Sequence, residues 1–305
     1  MKNSILKITK EDLIDTSLFV NWNEKERTEV FEKVNKIYDV KNLARILNHD
    51  KTTIYEIRTG KVKPSTKLYF YFMELLSLKI NFNSLSLSSR NAKPIKIKDL
   101  GITPELVGLI HSDGHLNLMK HGKGQIFYFS NQHKELIERF CELILDTFEC
   151  NIFVKKDKRD DTYYAYPPSV VGRIIAKKIG WKTRDYPNLD FSDDEIPLYI
   201  TGLFDGDGTI YIYKNSKTVI PTVKITTDSK FHAENIKRLL NKIDIYSRIV
   251  YETRNSWKWC SVIITRQKDF LKFIKMVDSK HSVKKAKIEG YLNNLGDLFN
   301  IKSRG

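Results

Sequence analysis

The feature that most constrains this chain is a doubled stretch, "ELVGLIHSDGHL" at 105–116 and "YITGLFDGDGTI" at 199–210. Each copy is an apolar run ending in Asp-Gly, and the two aspartates, Asp113 and Asp207, stand 94 residues apart. Read as helices, the copies open near Pro104 and Pro197, where a missing N–H is harmless, and Thr103 can cap the first. Gly114 is expected to end the first helix in the left-handed conformation, and Gly208 to end the second. Gly108 and Ser112 lie four apart, as do Gly202 and Gly206, so each helix has a strip almost without side chains. Glycine inside a helix costs about 1 kcal/mol relative to alanine, and close approach of two backbones is the reason to accept it. The two helices are therefore expected to pack together, which brings Asp113 and Asp207 to one place. Each carboxylate then sits at the negative end of a helix dipole and repels the other. A divalent cation offsets both effects. Mg²⁺ (or Mn²⁺) held by Asp113 and Asp207 is the expected cofactor, with no metal role for Ser112.

What surrounds the motif also repeats. The first copy continues with strands "HLNLMK" and "QIFYFS", helix "HKELIERFCELILDTF", strands "NIFVKKD" and "TYYAY", and helix "PSVVGRIIAKKIG". The second continues with "TIYIYK" and "PTVKITT", "KFHAENIKRLLNKI", "SRIVYETR" and "WKWCSVIIT", then "QKDFLKFIKMV". The expected class is α+β: two pseudo-symmetric αββαββα repeats, each an antiparallel sheet with helices on one face. The boundaries read 101–182 for the first repeat, 183–196 for a Pro-containing link and 197–305 for the second.

Ahead of the repeats, residues 1–80 read as a helical domain and 81–100, rich in Ser, Asn and Lys, as a linker. Within the former, "VKNLARILNHDKTTIYEIRTGKVKPS" (40–65) reads as two short helices with a tight turn at Asn48–Asp50 and a stop at Gly60. Leu43, Ala44, Leu47, Ile54 and Ile57 form its apolar stripe. This segment resembles a helix-turn-helix of the repressor type over about 40–60. The resemblance implies that Lys51, Thr52, Thr53 and Tyr55 enter a DNA major groove, with Arg58 near phosphates.

The charge balance agrees with a polyanionic partner. Lys and Arg number 52 against 37 Asp and Glu, a formal net charge of +15. The longest apolar run, "LYFYFMELLSL", is too short to cross a bilayer, and the N-terminus lacks a secretory h-region. Three scattered cysteines make neither a disulfide framework nor a Cys-type zinc site. The expected setting is cytoplasmic, nucleoid-associated or organellar rather than secreted, with no membrane partner.

The motifs "LVGLIHSDG" and "ITGLFDGDG" resemble those of the LAGLIDADG homing endonucleases in their single-chain, two-motif form, over roughly residues 101–295. The resemblance implies a monomer whose motif helices form the interface between half-domains and whose sheets form a saddle over duplex DNA. It implies site-specific double-strand cleavage, with the last acid of each motif, Asp113 and Asp207, holding metal. It further implies a lysine late in each half, here Lys182 and Lys284 with Lys285 as a rival, and a polar residue closing the second strand, here Asn131 and Thr227. One departure stands out: His111 occupies a position where that family often has another acid. Strand alternation leaves Thr209, Tyr211, Tyr213, Thr222, Lys224 and Thr226 outward in the second repeat, and His115 and Asn117 in the first. Arg248, Arg254, Lys258 and Arg159 are expected phosphate or base contacts. Two rival functions share the scaffold: a DNA-binding transcription regulator that no longer cuts, and a maturase acting on intron RNA. Retention of both terminal acids favours the nuclease.

Overall fold

The computed structural model describes residues 6–14, 18–82, 85–89, 93–98, 101–118, 125–179, 189–214, 219–254 and 257–302. The N-terminal part holds α1 (Lys10–Ile14), β1 (Phe19–Val20), α2 (Glu24–Ile37), α3 (Val40–Leu47), α4 (Lys51–Thr59) and α5 (Thr66–Leu75). It ends with β2 (Ser86–Ser88) and β3 (Ile95–Lys96). Short polar side chains set the helix starts: Asn23 Oδ1 accepts from Glu26 N at 2.8 Å, and Asp39 Oδ1 from Asn42 N at 2.8 Å. Asn48 turns the chain out of α3 in the left-handed region at φ 53°, and Gly60 does so after α4 at φ 79°. Leu43, Ala44, Ile54 and Ile57 are buried, so α3 and α4 meet along the apolar stripe. An aromatic cluster of Trp22, Phe31, Tyr69 and Phe72 supports them, with Trp22 edge-on to Tyr69 at 5.1 Å.

Within 81–100, the described residues around β2 and β3 pack against this core. Strands β2 and β3 join β1 in a three-stranded antiparallel sheet. Leu85, Leu87, Ile95 and Ile97 are buried, an alternation of apolar residues that the surrounding Ser and Lys obscured. Lys98 N donates to Thr147 O at 2.9 Å, and Lys178 Nζ to Asp12 Oδ2 at 3.1 Å, which ties this part to the repeat that follows.

The first repeat runs α6 (Pro104–Asp113), β4 (Gly114–Leu118), β5 (Gln125–Asn131), α7 (Lys134–Phe148), β6 (Phe153–Lys156), β7 (Tyr163–Tyr166) and α8 (Ser169–Ile179). The second runs α9 (Ile196–Asp207), β8 (Gly208–Lys214), β9 (Val219–Thr227), α10 (Lys230–Lys242), β10 (Arg248–Arg254), β11 (Trp257–Ile264) and α11 (Gln267–Met276), and α12 (Ser282–Lys302) follows. Both sheets are antiparallel and have the same strand order, β4-β5-β7-β6 and β8-β9-β11-β10. Equal order and equal element sequence make the two repeats pseudo-symmetric. Alternation sends Phe127, Phe129 and Ala165 of one sheet, and Ile210, Val223, Ile225 and Val262 of the other, into the helices.

Candidate active site and nucleic-acid interface

Helices α6 and α9 touch backbone to backbone. A Cβ on Gly108 would overlap Tyr199 O and lie 2.8 Å from Leu203 N. A Cβ on Gly202 would overlap Glu105 O and lie 2.7 Å from Leu109 N. Residues 105 and 199, and 109 and 203, hold the same places in the two motifs. The contact is thus reciprocal, as a two-fold axis between Gly108 and Gly202 requires. One turn later a Cβ on Gly206 would overlap Ser112 Oγ and lie 2.6 Å from Asp113 Oδ2. The helices therefore run in the same direction, with the Asp113 carboxylate against the end of α9.

The capping glycines do something other than the left-handed turn expected of Gly114. Gly114 and Gly208 are extended, at φ −72° and −82°, and each helix passes directly into a strand. Glycine is needed there for space. A Cβ on Gly114 would lie 2.6 Å from Ile110 O, and one on Gly208 would overlap Phe204 O. At the other end of α6 Thr103 Oγ1 accepts from Leu106 N at 3.3 Å.

Lys284, on α12, is buried, at 8 % exposure, beside this junction. Its Nζ donates to Phe204 O at 2.5 Å, Asp205 O at 2.7 Å and Gly206 O at 3.2 Å, capping the C-terminus of α9. Burial pulls the ammonium pKa down to about 8, against the opposing pull of Asp205, Asp113 and Asp207. Lys285 is exposed. The pKa displacement has a consequence for stability. Between pH 8 and 10.5 the folded chain has released a proton that the unfolded chain keeps, so stability should rise across that interval and not below it. Denaturant midpoints at pH 8 and pH 10 would measure the rise. Lys284→Met should flatten it, and an unchanged slope in that variant would contradict this account.

The acids do unequal work. Asn131 Nδ2 donates to Asp113 Oδ2 at 2.9 Å, so the end of β5 steadies the first motif carboxylate. Asp205 is buried, and burial raises its carboxyl above the usual range. It accepts from Ser279 Oγ at 2.5 Å and Lys280 N at 2.8 Å, anchoring the turn before α12. His111, its counterpart in the first motif, lies inside a buried polar chain: His111 Nδ1 is 3.0 Å from Tyr199 OH, which is 2.9 Å from His232 Nε2. His232 Nδ1 is in turn 3.1 Å from Thr227 Oγ1. Thr227 thus closes this internal chain. His111 keeps a polar group where an acid would have been buried.

The donors near the junction are carboxylate oxygens at helix C-termini, a hard oxygen set that fits Mg²⁺ or Mn²⁺. Asp113 and Asp207 are the residues that would hold such an ion. Lys182 and the side chains of Asn117, Arg254 and Lys258 lie outside the described residues.

The sheet faces away from the helices are polar and aromatic. In the second repeat Tyr211 and Tyr213 are exposed, at 53 % and 64 %, while Thr209, Thr222 and Thr226 are half-buried and Arg248 is exposed. Lys224 is engaged on this face: its Nζ donates to Glu252 Oε1 at 2.8 Å, and Trp259 Nε1 donates to Glu252 Oε2 at 2.7 Å. In the first repeat His115 stacks on Tyr128, centroids 4.8 Å apart, and Tyr164 and Tyr166 extend the cluster. Phe153 is exposed on the edge strand at 71 %. Arg159, at the β6–β7 turn, is exposed and pairs with Asp157 at 2.8 Å. The tyrosine cluster and Glu252 were missed by sequence reasoning; the pairing of strands β4, β5 and β7 is the signal that could have found the cluster. In the N-terminal part Lys51, Thr52, Tyr55 and Arg58 are exposed along α4 and Thr53 is half-buried.

No curated protein sequence matches the chain. Among solved structures, the chain is similar to the I-LtrWI LAGLIDADG homing endonuclease bound to target DNA, at 17% identity and TM-score 0.45, covering 66% of this chain and 97% of that one. It is also similar to I-DmoI in complex with DNA and Ca, at 18% identity and TM-score 0.41, covering 58% and 88%. A variant of I-SmaMI aligns at 14% identity and TM-score 0.47, covering 65% and 92%. A family model described as the LAGLIDADG-like domain matches residues 194–278, from just before α9 to just after α11. The matched span is the second repeat, with Asp207 at the end of its first helix.

Proposed function

We propose that the chain binds duplex DNA along its two outward sheet faces and hydrolyses a phosphodiester in each strand at a site-specific target. The single observation that carries this reading is the contact of α6 with α9, which sets Asp113 beside the end of the helix carrying Asp207, an end that Lys284 caps. Asp113 and Asp207 would hold Mg²⁺ or Mn²⁺, and such an ion supplies charge stabilisation and an activated water. The chain's own residues do the rest. Asn131 orients the Asp113 carboxylate through its 2.9 Å hydrogen bond. Lys284 neutralises the helix end on which negative charge would otherwise gather. The tyrosines and threonines of β8 and β9, and the aromatic cluster on β4, β5 and β7, offer groups for base edges and for stacking. The basic balance of the chain serves the phosphates. Helices α3 and α4 would add a further contact through Lys51, Thr52, Thr53, Tyr55 and Arg58.

Incubating the protein with a randomised duplex library and Mg²⁺, then sequencing the ends, tests the reading. A recurrent site of double-strand breaks is expected. Specific binding without breaks under Mg²⁺ or Mn²⁺ would leave the second reading, a regulator, which the exposed polar face of α4 favours.

Glu252 gives a separate check of the interface. It holds Lys224 on the proposed DNA face, so Glu252→Gln should free that ammonium for a phosphate. Affinity for non-specific duplex should rise, and the slope of log K against log salt should steepen by about 0.9 for one added phosphate contact. An unchanged slope would place Lys224 away from the backbone.

A further inference from the structure

A second cluster lies near the motif junction and uses different donors. His133 and Glu135 begin α7, and His281 immediately precedes α12. One ligand atom from each of the three lies within 4.8 Å of the others, and no other such group of three occurs among the described residues. The two imidazole rings lie with centroids 3.8 Å apart, tilted by 42°.

Three observations separate this cluster from an ordinary polar surface. First, His281 is 8 % exposed and its Nδ1 is buried without a hydrogen-bond partner, an expensive condition for a ring nitrogen. Second, the Glu135 carboxylate is fixed: Oε1 accepts from Ser282 N at 3.0 Å and from Ser282 Oγ at 2.6 Å. Third, the turns that carry the donors are held from below. His133 N donates to Asn131 Oδ1 at 2.7 Å, and His281 N donates to Ser279 Oγ at 3.2 Å. Protonation favours binding as well. The hydrogen bonds from Ser282 outweigh burial and hold Glu135 down at about 2, and burial lowers His281 to about 4. Both donors are in their ligating form at neutral pH, before any ion arrives.

Two imidazoles and one carboxylate form a borderline-soft set that suits Zn²⁺ with water in the fourth position, whereas Mg²⁺ prefers oxygen alone. We propose that His133, Glu135 and His281 bind one divalent transition-metal ion, Zn²⁺ by preference, which clasps the first repeat to the segment leading into α12. The ion would lock the start of α12, and with it Lys284, onto the end of α9. It is distinct from the ion proposed for Asp113 and Asp207.

Co²⁺ is the probe, because tetrahedral Co²⁺ absorbs visible light strongly and six-coordinate Co²⁺ weakly. Full-length protein stripped with a chelator and titrated with Co²⁺ should gain a visible band that saturates at one equivalent and is bleached by one equivalent of Zn²⁺. His133 is half-exposed, so His133→Ala should fold, with unchanged far-UV circular dichroism. It should weaken Zn²⁺ binding by more than the roughly 10–100-fold that loss of an outer-shell partner brings. The Asp113→Asn, Asp207→Asn double variant should keep the band, which separates this site from the motif aspartates. No saturable band in the stripped protein, an unaltered band in His133→Ala, or loss of the band in the double aspartate variant would each overturn the proposal. None of these results depends on whether the chain cleaves DNA.

Discussion

Replacing either motif aspartate by asparagine should stop double-strand cleavage while leaving DNA binding in place. Asp113→Asn and Asp207→Asn keep side-chain size and remove one negative charge each, so a divalent ion loses a charged ligand at the junction. The fall in cleavage rate under Mg²⁺ is expected to reach about 10²–10³-fold or more, the scale on which removing one group that stabilises developing charge slows an enzyme. Affinity should not fall, because removing a carboxylate from a surface that faces phosphates lessens repulsion. A supercoiled plasmid carrying the target reads both effects, since nicked, linear and intact forms separate on a gel. If each aspartate serves one strand, the single variants yield nicked circles and the double variant yields none. Wild-type rates in either single variant would remove that aspartate from the reaction. The comparison with Lys284→Met is informative too: loss of that ammonium should slow scission and also loosen the end of α9, where it caps three carbonyls.

The second large effect is on stability. Gly108→Val or Gly202→Val drives a branched side chain into the main chain of the facing helix, where even a Cβ overlaps Tyr199 O or Glu105 O. Backbone cannot rotate aside as a side chain can. Overpacking of cores costs about 1–3 kcal/mol where side chains can shift, and here the helices themselves must part. A loss above about 3 kcal/mol is expected, with the melting temperature falling by roughly 6–12 °C at about 2–4 °C per kcal/mol. Gly290→Ala is the control, because nothing lies within 4 Å of a Cβ there. Equal melting temperatures for Gly108→Val and wild type would mean that the helices do not meet as described. The same variants should also lose metal-dependent scission, because that contact sets the Asp113 carboxylate against the end of α9.

Much of this was legible in the sequence because it followed from spacing. The two glycine strips predicted helix-on-helix contact, and the alternation of "TIYIY" and "TVKIT" predicted which side chains face outward. Both are consequences of period, and period survives without coordinates. What was missed depends on partners far away in the chain. Nothing in "HSDG" indicates that His111 belongs to a chain through Tyr199 and His232 to Thr227. Nothing near Lys224 indicates that Glu252 holds it. The linker reading of 81–100 rested on composition and passed over a short alternation of Leu and Ile, which is buried around β2 and β3. The turn reading of Gly114 failed because glycine after a helix is commonly conformational, and here it is volumetric. Lys284 could be separated from its neighbour Lys285 only once α12 was seen to bring the Lys284 ammonium to the last carbonyls of α9.

The reciprocal contact between Gly108 and Gly202 has a bearing on how such a chain can change over time. Its surfaces are carbonyl oxygens and amide nitrogens, so beyond glycine at 108 and 202 its centre asks for no particular side chain. A joint made of main chain does not require matching side chains in its two halves, so each half can drift separately while the docking persists. The present chain already exhibits that freedom, with His111 in one half and Asp205 in the other serving unrelated neighbours. Selection can thereby retune the outward sheet face of each half without having to rebuild the seam that holds them together.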